Sequence, residues 1–433
     1  MVLVHTPKIT PRLKYIFKQI FSRILEIEVS FTTKIDEFVA HNGPKLSYGK
    51  APLGIEFFVR SHDLLFEQGI NDIEINMLNW EDVPCFFSVG ESSSIPFDIF
   101  AASFYLISRY EEYLPHVQDA HERFPVNESL AFQNGFLEKP VIDIWAYKFL
   151  EHFKEKYPDI KNEEREFQLI STIDVDSAYA YKGKGLMRTF GAFFKDVFQL
   201  KLLNLYNRFM TIFNFRKDHF DTFSLFLEIK QQYHVKTLFF FLVGDYTTFD
   251  KNISSSNNHF RSLIKSVTDY AKIGIKPSYF TMKNPTLLKK ELKRLDEIIN
   301  TPIMLSRQHF LRLSLPETYQ NLIDADIMED YSMGYAKAVG FRASTCTPFY
   351  FYDIDFEIQT PLKIFPFALS DTALKNEMGL SNEASMAKII ELKNAVKNVN
   401  GTFISLMHNE TLSENSNWKG WTTIYKQMVI ETD

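Results

Sequence analysis

The chain has 433 residues, 45% hydrophobic and 24% charged, long enough for two or more cored domains and ordinary for a soluble globular protein. A net charge of −6 gives no support for a general nucleic-acid binder, which would carry an overall basic field. Cys85 and Cys346 stand far apart and read as free thiols, which argues against a disulfide framework or a cysteine metal site.

The N-terminal stretch MVLVHTPKITPRLKYIFKQIF has no uninterrupted apolar run and no small-residue cleavage site, so it does not read as a secretory signal. No apolar run approaches the roughly 20 residues of a bilayer span. The expectation is a cytoplasmic protein. Phenylalanine is abundant at 42, which suits large aromatic cores and also apolar or carbohydrate-facing surfaces.

Residues 99–115, IFAASFYLISRYEEYLP, predict a helix ended by Pro115, and a second helix is expected from Ile142 to Lys156. Arg109, Glu111 and Glu112 read as a solvated or domain-facing surface. The polar segment KEKYPDIKNEER, residues 154–165, reads as a surface linker and sets a boundary near residue 163. Residues 1–162 then form a mixed α/β domain without recognisable chemistry, and residues 163–433 form a second domain.

That second part repeats one pattern: an apolar strand-like run, a chargeable residue, then a loop and a helical segment. LISTIDVD ends in Asp174 and Asp176, which alternation places on one face of an extended chain. TLFFFLVGD ends in Asp245, KIGIKPS carries Lys276, and PIMLSRQH ends in Arg307 and His309. The series continues through IMED at Asp330, VGFRAST at Arg342, KIFPFALSD at Asp371 and TFISLMHNE at His408 and Glu410. Asp245 and Asp330 also read as caps or turn formers. Helices are expected in LLKKELKRLDEII, capped by Asn284-Pro285, and in MAKIIELKNAVKNV, stopped by Gly401. Strand and helix in alternation imply parallel strands, and eight such units suit an α/β fold closed, or nearly closed, into a (β/α) barrel. In such a barrel the C-terminal strand ends meet on one face, and residues from 174 to 410 share a pocket.

Between the first of these strands and the next helix, residues 182–220 hold eight Lys or Arg against two Asp, interleaved with Phe, Leu, Met and Tyr at helical spacing. This basic amphipathic insertion reads as a lid, as a peripheral contact with anionic lipid headgroups, or as helices packing on the N-terminal domain. On the lipid reading, a lipid-linked sugar becomes a substrate class to consider.

TIDVD, the separate LMHNE histidine and the SRQHF arginine resemble the polysaccharide deacetylase family, also called NodB-homology or carbohydrate esterase family 4. PFDIFAASFYLISRYEEYLP, TIDVDSAYAYKGKG, SRQHFLRLSLPETY, DYSMGYAKAVGFRAST and LMHNETLS resemble more closely a Bacteroidetes-type subgroup with a distinct N-terminal domain. The resemblance implies a hydrolase that removes acetyl groups from a glycan or sugar precursor. It assigns Asp174 as base, Asp176 as ligand of a divalent, zinc-like metal, His408 as acid and Arg307 as the group orienting Asp174. The metal would polarise the acetyl carbonyl and acidify a bound water.

One departure stands out. Where the family carries two histidines four residues apart, this chain has Lys276 and Phe280, and neither an ammonium nor a phenyl ring can donate a lone pair to zinc. Lys276 could instead balance the carboxylates and leave a metal-free pocket, with His309, Asp371, Arg342 and Glu410 as further substrate-binding candidates and Arg342 also a brace. Asp174, Arg307 and His408 thus point to amide or ester hydrolysis, with Asp176 a ligand only if a metal binds. Lys276 points to a catalytically silent relative that binds carbohydrate or, through the N-terminal domain, a protein partner.

Overall fold

The structure, a computed structural model, describes residues 1–163, 165–415 and 417–430. Glu164, inside the expected linker, lies outside the described residues. Among the described residues fifteen strands fall into three sheets. Strands β1 (Val2–His5), β2 (Val29–Thr32), β3 (Lys45–Gly49) and β4 (Phe57–Arg60) form a parallel sheet in the order β2-β1-β3-β4. A hairpin of β5 (Met77–Trp80) and β6 (Val83–Phe86) follows it. Helices Ile99–Ile107 and Val141–Lys156 belong to the same half and meet where Phe149 sits edge-on to Phe100, which also stacks on Phe17 of the helix Pro11–Phe17, centroids 3.7 Å apart.

The first of these helices is shorter than expected. It stops at Ile107, well before Pro115, because Arg109 turns into the left-handed region at φ 57°. A short helical turn, Tyr110–Glu112, follows.

The remaining strands are β7 (Gln168–Val175), β8 (Lys236–Phe241), β9 (Lys272–Ile275), β10 (Leu305–Ser306), β11 (Glu329–Asp330), β12 (Phe349–Asp353), β13 (Ile358–Ile364), β14 (Leu369–Ser370) and β15 (Thr402–His408). They make one sheet in the order β12-β13-β11-β10-β9-β8-β7-β15-β14. All neighbours pair in parallel except the β12–β13 hairpin. The fold is therefore mixed α/β, and its pairings among the described residues trace an open order, whereas the sequence led to a closed, or nearly closed, barrel of eight units. Residues 365–368 carry the chain from β13 to β14. Along them Phe365 N–H donates to Asp330 O at 2.8 Å and Ala368 N–H to Ile404 O at 2.9 Å.

VGFRAST is not a strand: residues 339–345 are irregular and buried, held by Phe341 N–H on Leu137 O and by Asp143, which accepts from Thr345 and from Cys346 N–H. The helix Pro285–Ile299 begins at the expected cap, with Asn284 accepting from Leu287 N–H. The helix Asn382–Lys397 ends ahead of Gly401. Cys85 and Cys346 are free and buried. Among the described residues no helix is long and apolar enough to cross a membrane.

Candidate functional site

Alternation along the strands builds the site. In β7, Ile170 belongs to a small inner cluster with Leu238, Phe240, Ile404 and Leu406, whereas Leu169, Ile173 and Val175 join the main core. Continuing the inner row by steps of two reaches Asp174 and Asp176 from β7, Lys276 beyond β9, Arg307 and His309 beyond β10, and His408 at the end of β15. The register sets Asp174 directly beside His408.

Two glycines make room for the floor. A Cβ at Gly274 would fall 2.5 Å from the Phe240 ring, and one at Gly334 would collide with the Phe367 ring. With both rings in place, the Arg307 guanidinium lies 5.0 Å from one centroid and 5.2 Å from the other, fully buried, with Nη1 3.5 Å from Asp174 Oδ1.

Lys276 lies across the two carboxylates. Its Nζ is 2.9 Å from Asp174 Oδ2 and also bonds Asp176 Oδ1, and the Lys276 and Asp174 side chains are almost wholly buried. Burial opposes the lysine's charge, but Asp174 and Asp176 outweigh it and raise its pKa. Burial likewise works against charge on Asp176, yet Lys276, His309 and His408 hold its carboxyl well below the usual range.

The two histidines flank Asp176 Oδ2, with His309 Nε2 at 3.7 Å and His408 Nε2 at 3.8 Å. Each ring is anchored through Nδ1 by a buried aspartate, His309 by Asp250 and His408 by Asp371, both at 2.8 Å. Asp371 also accepts the His408 backbone N–H at 2.7 Å and the Thr411 hydroxyl. Burial would lower the His408 pKa, but Asp371 overrides it and lifts the value to about 9, so the ring is charged at neutral pH. Asp371→Asn is expected to bring the His408 titration back toward the ordinary histidine range, followed by NMR of the imidazole nitrogens; an unmoved titration would remove Asp371 from this role.

These groups open into a cavity of about 350 Å³. Asp174, Asp176, Lys276, His309 and His408 all line it. Arg307 and Asp371 lie behind it, so the structure gives Asp371 contacts to His408 and Thr411 in place of the expected reach to a substrate. Glu410 is beside the cluster but off the wall, and the burial of its carboxyl raises its pKa. Arg342 is also off this wall: it borders a smaller adjoining cavity of about 90 Å³, and its guanidinium is engaged by Glu112 at 2.7 and 2.9 Å. Asp245 meets Lys290 and Arg294 near the surface, and buried Asp330 accepts from Ser306 and Ser332.

Sequence reasoning missed one wall. Asp119, His121 and Arg123, from the N-terminal half, also line the cavity, with Arg123 held by Asp119 at 2.7 Å and by Phe310 O at 2.6 Å. Nothing in the polar run HVQDAHERFP marks it as a wall, because its placement depends on a contact 187 residues away in the chain.

The zinc-like metal implied by the deacetylase resemblance does not fit these residues. The Lys276 ammonium sits between the two carboxylates, and among the described residues no group of three or more His, Cys, Asp and Glu is arranged to hold a metal.

In comparisons with known proteins, residues 2–158 match a family of unknown function, DUF7033. No curated protein matches the chain. Among solved structures, the chain is similar to one assigned as a polysaccharide deacetylase from Mycobacterium smegmatis, at 12% identity over 62% of this chain and 84% of that one, with a TM-score of 0.40. It is also similar to a polysaccharide deacetylase from Bacillus cereus, at 11% identity over 61% and 87%, TM-score 0.29. A third is a CE4 family pseudoenzyme from Bacillus anthracis, at 12% identity over 61% and 62%, TM-score 0.29. At these identities activity has to be read from the residues of the site itself.

Proposed function

We propose that this is a deacetylase-like protein whose pocket binds an acetylated sugar without a metal. The observation that carries the reading is the buried Lys276 ammonium shared by Asp174 and Asp176. Asp174 is held by the ammonium at 2.9 Å and by a guanidinium at 3.5 Å, and the ammonium takes the ground between the carboxylates that a water-activating cation would need. The wall suits a polyhydroxylated ligand: Gln308, Ser370 and Thr372 offer neutral hydrogen-bonding groups, and Phe310 and Leu406 offer apolar surface.

A second reading, acetyl hydrolysis without a metal, draws on the His408–Asp371 pair, which presents a charged imidazole able to give a proton to a leaving group. Calorimetry with N-acetylglucosamine oligomers, alongside an acetate-release assay, separates the two. Expected are binding unaffected by EDTA, loss of binding in His408→Ala, and no acetate. Acetate release that survives EDTA and vanishes in Asp174→Asn would establish the second reading; release that needs a divalent ion would overturn both.

A further inference from the structure

The insertion after β7 forms two helices, Leu186–Phe198 and Leu202–Ile212, joined by a short turn. Phe190, Phe194 and Phe198 recur every four residues on the first; Leu202, Tyr206 and Phe209 follow a four-then-three spacing on the second. Such stripes ordinarily face a core. Here all six side chains are exposed, Phe198 to 84% and Leu202 to 72%.

The charge of this insertion is mostly of one sign, eight Lys or Arg against two Asp. Of the two acids in residues 182–220, Asp196 is engaged by Arg208 at 2.8 Å, and Asp218 accepts the backbone N–H groups of Ala180, Tyr181 and Lys182. Lys201, Arg216 and Lys217 of the same insertion are exposed, Lys217 lying 3.9 Å from Asp221 just past its end. A second copy of the chain would set one basic face against another, which disfavours it. An anionic bilayer surface complements both features, taking the aromatic side chains at headgroup depth and the lysines and arginines at the phosphates.

The insertion is also fastened to the pocket. Asn409, the residue after His408, donates through Nδ2 to Ser177 O at 3.1 Å and to Phe220 O at 2.9 Å, so both roots of the insertion meet beside the cavity. We infer that the helical hairpin docks on an anionic lipid surface and holds the cavity beside the headgroups. That the ligand met there is a lipid-borne sugar rests on the sugar-binding reading above; the docking does not.

The test is flotation of the full chain with vesicles of phosphatidylcholine containing about one third phosphatidylglycerol, against phosphatidylcholine alone. Expected are binding to the anionic vesicles only, its loss in Phe198→Asp/Leu202→Asp, and about fivefold weakening for each of Lys201→Ala and Lys217→Ala, with circular dichroism confirming that the variants fold. Equal binding to both vesicles, no binding, or self-association abolished by Phe198→Asp without flotation would each overturn the inference. His408→Ala is expected to float like the parent chain, and the hairpin variants to bind soluble sugar, so failure of one reading is distinguishable from failure of the other.

Discussion

Lys276→Met is expected to lower unfolding free energy by about 3–5 kcal/mol at neutral pH, measured by chemical denaturation. The substitution keeps the stem and removes the charge, leaving Asp174, among the described residues, with Arg307 at 3.5 Å as its one remaining cationic partner. Sign and cause are checked together by the double variant Lys276→Met/Asp174→Asn, which restores most of the loss. A single variant within about 1 kcal/mol of the parent, or a double variant with no recovery, would show that the ammonium does not balance these acids.

The second large effect joins the two halves of the chain. Glu112 is buried between Arg342 and Arg109, whose attraction overcomes its burial and holds its carboxyl at about 2. A carboxyl lowered on folding contributes stability that is complete above its unfolded value, near 4.5, and is lost as pH falls toward 2. The contribution is roughly 3 kcal/mol. Glu112→Gln should therefore remove much of the acid-dependent slope in that window and also cost about 3–5 kcal/mol at pH 7, because two buried guanidinium groups lose their shared partner. Denaturation at a series of pH values measures both. An unchanged slope would mean that Glu112 is not the group being titrated.

The row of strand-end charges was legible because side chains alternate, and TIDVD, KIGIK, SRQH and LMH each announce an apolar strand and its polar tip. VGFRAST misled for the same reason. Its apolar-then-charged pattern imitates a strand end, but its backbone is claimed by Leu137 and Asp143 from the N-terminal half, a long-range contact no local pattern records. Arg109, Glu111 and Glu112 read as a solvated or domain-facing surface, and nothing local chose between the two; the left-handed turn at Arg109 folds them inward, where Glu112 meets Arg342. The cavity wall from Asp119 to Arg123 was hidden in the same way. The 182–220 insertion was visible as basic and amphipathic, but the exposure of its apolar stripe could be seen only in three dimensions.

The aromatic clamp on Arg307 has a consequence for how the protein could diversify. With Phe240 and Phe367 seated against glycines and the guanidinium caught between them, the layer behind the cavity has little slack to reshape itself around a different guest. New preferences would have to be written at the mouth, where the 119–123 loop supplies replaceable side chains, so exchanging that loop between relatives should retune selectivity while the foundation stays put.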